Sequence, residues 1–141
     1  MNKIIITLQY IFLTAILIFG GFYLYSSFYP FKVVEINSPA IMEHTEYKVG
    51  EEMAFVVTYC KYMSIPGQVY PELVDGVVYN LKSMVSNAGI GCGKKILSVG
   101  RTPDVVSGKY HIHMRTIYKV NDLRDVEVFF ETNEFIIKGD E

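Results

Sequence analysis

The chain has 141 residues, half of them apolar, a formal net charge of −2 and no tryptophan. That length admits one small domain, and without a basic excess nucleic acid is set aside as a partner. The apolar residues are concentrated at the N-terminus, so the chain as a whole does not read as a single soluble domain.

From Ile4 to Tyr25 the run IIITLQYIFLTAILIFGGFYLY carries no charge over 22 residues. As a helix rising ~1.5 Å per residue it covers ~33 Å, enough for a hydrocarbon core of ~30 Å. It exceeds the apolar segment of a cleavable signal peptide, and Ile18 and Phe19 spoil a small-x-small cleavage site at Gly20 or Gly21. Residues 1–29 are therefore expected to be an uncleaved transmembrane anchor in contact with membrane lipid. Residues 30–141 are expected to form one extracytoplasmic domain, in the periplasm or on the cell surface. The short N-terminal tail argues for that orientation, and Tyr23, Tyr25, Phe28 and Tyr29 suit the aromatic belt of the outer interface. Thr7, Thr14 and Gly21 recur every seven residues, a face of small side chains on which another membrane helix can pack.

After Pro30 the pattern changes to short alternating segments separated by turn signals, which argues for strands. FKVVEIN (31–37) is the first, stopped by Ser38-Pro39. A turn at Gly50 leads into a strong second strand, where Met53, Phe55, Val57 and Tyr59 alternate with Ala54, Val56, Thr58 and Cys60. Residues 61–76, KYMSIPGQVYPELVDG, hold two prolines and two glycines and are expected to be mostly loop. The stretch 76–84 reads as a strand with Val77, Tyr79 and Leu81 on one side. SNAGIGCG is expected to be a glycine-rich loop carrying Cys92, followed by the short strand KKILSVG. KYHIHMRTIYKVN (109–121) is a long strand, and DVEVFFETNEFII (125–137) is the last. In the last one the inward set slips by one between Phe130 and Phe135, which predicts a bulge near Glu131-Thr132. Six or seven strands make an all-β fold, an antiparallel β-sandwich behind one transmembrane helix.

VGEEMAFVVTYC is similar to strand B of an immunoglobulin-like domain, and SGKYHIHMRTIYKVN resembles strand F, whose entry carries a corner tyrosine. The resemblance implies an Ig-like or fibronectin-type sandwich over residues 31–137, with the Tyr110 hydroxyl bonded to backbone a few residues upstream. Two features depart from the antibody pattern. Ile112 stands where the second core cysteine would be, and no tryptophan is present. One membrane span with one such outer domain also resembles small accessory proteins of bacteria and their phages.

Cys60 and Cys92 are the two cysteines. An oxidising compartment permits a disulfide worth ~3–4 kcal/mol on the chain-entropy model, and two unpaired thiols are the alternative. Since Cys60 lies on the opposite parity from Phe55 and Val57, a bridge is expected to tie a strand end to a loop outside the core.

His111 and His113 raise the question of a metal. Alternation puts Tyr110, Ile112, Met114, Thr116, Tyr118 and Val120 on the core face of their strand. Lys109, His111, His113, Arg115, Ile117 and Lys119 fall on the other, so Met114 cannot join the histidines around one ion. Two imidazoles ~6.5–7 Å apart on one face chelate copper or zinc only with a third ligand from elsewhere. Lys109 and Arg115 beside them disfavour a cation. Membrane-tethered copper chaperones share the anchor-plus-sandwich plan but use a Cys-x-Cys pair that this chain lacks. No cofactor is expected. No nucleophile elbow, zinc-protease helix or phosphate loop occurs, so no catalysis is expected either.

Recognition remains. The apolar residues Tyr62, Met63, Ile65, Tyr70 and Leu73 in the expected 61–76 loop are candidates for contact with a partner. The leading expectation is a non-enzymatic single-pass protein whose outer domain binds other membrane or envelope proteins as a structural or accessory subunit of a membrane assembly. An extracytoplasmic copper-handling protein and a phage-encoded factor that modifies a host envelope protein are the alternatives.

Overall fold

Asn2–Phe28 form one helix, α1, in a computed structural model that describes residues 2–29 and 32–139. The segment Ile4–Phe28, 25 residues, is long and apolar enough to cross a membrane. Its large apolar side chains stay uncovered by the rest of the chain. A helix that is apolar on all sides finds no water-facing side in a globular domain. Phe31, expected to open the first strand, lies outside the described residues.

Eleven strands follow among the described residues: β1 (Val34–Ile36), β2 (Ile41–Met42), β3 (Glu46–Lys48), β4 (Glu52–Lys61), β5 (Gly67–Val74), β6 (Val78–Asn80), β7 (Met84–Ser86), β8 (Gly91–Arg101), β9 (Gly108–Asn121), β10 (Arg124–Glu131) and β11 (Phe135–Lys138). They make two sheets. In the first, β8 runs along the whole of one edge of β4, and β1 and β2 share the other edge. In the second, β5 lines one edge of β9, and β10 and β11 divide the other. β6 and β7 close the far side of β5, and β3 pairs with β11, parallel to it. The segment between β1 and β4 therefore passes from one sheet to the other.

The two expected patterns of alternation hold. Met53, Phe55 and Val57 of β4 face Tyr110, Ile112 and Met114 of β9 in one core. Phe55 meets Phe130 edge to face at 6.0 Å across the gap between the sheets. At the end away from α1, Tyr47 packs against Phe135 and its hydroxyl donates to the Ala54 carbonyl. Gly50, with φ of 81°, makes the expected turn into β4, a backbone conformation costly for other residues.

Four expectations need correction. The 61–76 segment is not mostly loop, because it contains β5, whose residues alternate buried and half-buried along its length. Pro71 signals a loop, but it is tolerated in this strand. Its carbonyl accepts from Leu81 N at 3.0 Å, so its own nitrogen also faces the side of β6 and β7. That is where the neighbouring strand is interrupted between Asn80 and Met84, and a missing N–H costs no ladder bond there. For the same reason the single strand expected over 76–84 is two, β6 and β7.

Cys92 is not in a loop either. It lies in β8 directly opposite Cys60 of β4 and is joined to it by a disulfide, with Cα atoms 3.9 Å apart. The bridge sits on the outer face of the first sheet, clear of the core, as parity required. The last expected strand is divided into β10 and β11. The phase slip is real, but it is a break at Thr132–Glu134, with Thr132 N donating to the Ile112 carbonyl and Ile112 N donating to Thr132 Oγ1.

Tyr110 is buried, and its hydroxyl donates to the Val106 carbonyl four residues upstream at 2.6 Å. Burial first, then the Asp75 carboxylate and the charge of the Tyr79 hydroxyl, push this hydroxyl up to about 12 from 10.0. The folded state thus keeps a proton that the unfolded chain releases near pH 10. The stabilisation is complete below pH 10 and is lost as the pH rises toward 12. Alkaline unfolding curves should therefore fall more steeply between pH 10 and 12 for the native chain than for Tyr110→Phe, which is less stable at neutral pH by about 1 kcal/mol. Parallel curves for the two would contradict this.

Candidate binding surfaces

The outer face of the second sheet carries two cross-strand rows. Phe129, Arg115 and Tyr70 are successive partners across β10, β9 and β5. The Arg115 guanidinium lies 5.3 Å from the centroid of the Tyr70 ring, within cation–π range. Glu131, His113 and Glu72 form the adjacent row. The His113 ring stacks on Phe129, with centroids 5.9 Å apart and planes 11° from parallel. Its Nδ1 is 3.4 Å from Glu72 Oε2. Phe129 nevertheless remains 54% exposed, and the β1–β2 connection, Asn37 to Pro39, flanks it to make a shallow groove. Phe129 was not singled out in the sequence, although an aromatic on the polar parity of β10, opposite to Val128 and Phe130, was the available signal.

His111 and His113 share this face, as alternation required. His113 is engaged by Glu72 and Phe129, while His111 stands opposite Val74 in the register. Among the described residues no three His, Cys, Asp or Glu side chains gather closely enough to hold a metal ion.

The 61–76 candidates do not form one surface. Leu73 is fully buried in the core, a correction that follows from its inward parity on β5. Tyr70 is half-buried beside Arg115, and Met63 and Ile65 are half-buried before β5. Tyr62 alone of the five is exposed, with its hydroxyl donating to Glu35 at 3.1 Å. On α1, the Thr14 hydroxyl donates to the Tyr10 carbonyl in its own helix, and nothing lies within 4 Å of a Cβ built on Gly21. Thr7 is exposed on the same helix.

A second feature lies at the end of the domain nearest α1. A cavity of about 40 Å³ opens between the sheets, lined by Val57, Val69, Leu97, Tyr118 and Phe130, with Lys61 at its wall. Lys61 is buried, and its ammonium donates to the Ala88 carbonyl at 2.8 Å and stands 5.6 Å from the Tyr118 ring centroid. Burial, and then the charge of Lys95, lower its pKa. The cavity has room for about three waters and is too small for a drug-sized ligand. Lys61 instead fastens the β7–β8 loop to the end of β4.

No protein-family model matches the chain, and no curated protein matches it. Among solved structures, it is similar to the Pseudomonas fluorescens alkylpurine DNA glycosylase AlkC bound to DNA containing an abasic site analog. The identity is 17% and the TM-score 0.37, over 71% of this chain and 30% of that one. A likeness of that size carries no argument about fold or activity.

His113 is already held by Glu72 and Phe129, and Arg115 adds a positive charge beside it. Isothermal titration with copper should therefore give the same weak affinity for the native chain and for His111→Ala/His113→Ala. Tight binding of one ion, lost in the double variant, would restore the metal reading.

Proposed function

We propose that this chain is a single-pass membrane protein whose outer domain is an Ig-like β-sandwich that binds another protein and catalyses nothing. Its N-terminus is cytoplasmic, and the domain lies in an oxidising compartment outside. The strand order supports the Ig-like part. β1, β4 and β8 correspond to one sheet of such a sandwich, and β11 with β10, β9, β5 and β6 to the other, with the Tyr110–Val106 bond in the position of a tyrosine corner. The cross-strand Cys60–Cys92 bridge supports the oxidising setting.

The observation that carries the binding role is the Phe129–Arg115–Tyr70 row. Phe129, Arg115 and Tyr70 are residue types enriched at protein interfaces, and Glu72, Glu131 and His113 supply the polar groups of a rim. The partner is a membrane or envelope protein, and the chain is a structural or accessory subunit of that assembly.

A photo-crosslinking amino acid at Phe129 should trap one discrete partner in native membranes, whereas the same group at Val106, 80% exposed at the end away from α1, should not. Adding Arg115→Ala should weaken the crosslink at least about fivefold, as expected for an arginine worth more than ~1 kcal/mol at an interface. Equal, diffuse labelling from both positions would sink the assignment.

A further inference from the structure

We propose that three loops at the α1 end of the domain form a lipid-contacting foot, which rests in the headgroup layer of the bilayer that α1 spans. This rests on the reading of α1 as a membrane anchor and adds to it a surface for which lipid itself is the occupant.

Strand directions put the loops together. β1 begins, β4 ends, β8 begins, β9 ends and β10 begins at one end of the two sheets. The β4–β5 connection, the β7–β8 loop and the β9–β10 turn therefore project on one side. Each carries an exposed large apolar residue: Tyr62 at 48%, Ile90 at 65% and Leu123 at 58%. Ile90 adjoins Gly91, which is opposite Lys61 in the register, so it neighbours Tyr62. The Lys61–Ala88 bond holds the loop that presents it.

The same end is tied to the helix. Asn121 Nδ2 donates to the Ser26 carbonyl at 2.7 Å, capping one of the carbonyls that a helix C-terminus leaves open. Asn121 Oδ1 accepts from Leu123 N at 2.9 Å, so one side chain both meets α1 and shapes the turn that displays Leu123. The depth of Ser26 therefore sets the depth of Leu123.

That depth follows from length. The 25 residues of Ile4–Phe28 cover ~37 Å as a helix, about 7 Å more than a hydrocarbon core of ~30 Å. Tyr25 and Tyr29, stacked at 4.9 Å, are aromatic rings of the kind that sit at headgroup level, and they assign that excess to the last turn. Between Phe28, the end of α1, and Val33, buried in the domain, the chain spans at most ~18 Å even fully extended. The domain cannot stand clear of the membrane. Apolar loop tips held at that level meet acyl-chain boundary and headgroups, the setting in which interfacial apolar and aromatic side chains are stabilised.

The chain lacks tryptophan, so each introduced one reports alone. Full-length Ile90→Trp, Leu123→Trp, Val106→Trp and Phe19→Trp would be reconstituted in phosphatidylcholine vesicles, with or without lipid brominated near the headgroup end of its acyl chains. The foot requires that Trp emission at 90 and 123 be blue-shifted and lose most of its intensity to the bromines, while emission at 106 is unaffected. Emission at 90 and 123 matching that at 106, with the α1 reporter quenched, would overturn the foot and leave the anchor standing. A blue shift without bromine quenching would mean that protein, such as a second copy, covers these tips, and would overturn it too. An unquenched α1 reporter would remove the anchor and the foot together.

Discussion

The domain depends on the two-residue alternation of β9. Twelve residues, Gly108 to Lys119, keep one phase, and the register with β10 shifts only at Val120, next to the turn. The inward set from Tyr110 to Tyr118 supplies the floor of the core, and the outward set supplies the face on which Arg115 and His113 meet their neighbours. Because β9 receives β5 on one edge and both β10 and β11 on the other, a slip of one residue would invert every one of these relations at once. Its two ends do different work. At Tyr110 a buried phenol closes the far corner on Val106, and at Asn121 a side-chain amide reaches the last turn of α1.

The membrane and the β domain pose one geometric problem. On the proposal that lipid covers α1, the short connection after it leaves the domain little freedom to choose its distance from the bilayer. The end of the two-sheet stack nearest α1 carries the exposed apolar tips, and Lys61 there turns inward to bond the Ala88 carbonyl. The outer face of the second sheet, with Phe129, Arg115 and Tyr70, is the face proposed to bind a protein.

The parts of this arrangement that were legible in the sequence are those governed by period. An uncharged run of helical length, and alternation in 52–61 and 109–121, are direct consequences of one-sided or complete burial. The sidedness of His111 and Met114 followed at once. The illegible parts are those where pairing overrides local chemistry. Pro66, Gly67 and Pro71 each signal a loop, yet Gly67 is the residue whose missing Cβ lets the Tyr118 ring lie across β5, where an added carbon would stand 2.6 Å from it. Two- and three-residue strands such as β2 and β3 are too short to display a period and exist only because β4 and β11 are there to receive them. Cys92 had the same difficulty. Its glycine neighbours read as loop, and only the register with β4 puts it opposite Cys60. On the outer face of the second sheet, Arg115 and the histidines are legible from alternation, but the place of Phe129 is not, since its neighbours on β9 and β5 lie far away in sequence.

The central claim is that α1 crosses the bilayer and delivers the β domain to the outer side. Limited proteolysis of intact spheroplasts carrying the chain with a tag on Met1 tests it most directly. The account requires that external protease digest residues beyond Lys32 and spare the tag. A protected domain with a digested tag would reverse the topology, and the outer partner face and the oxidising compartment would fall with it.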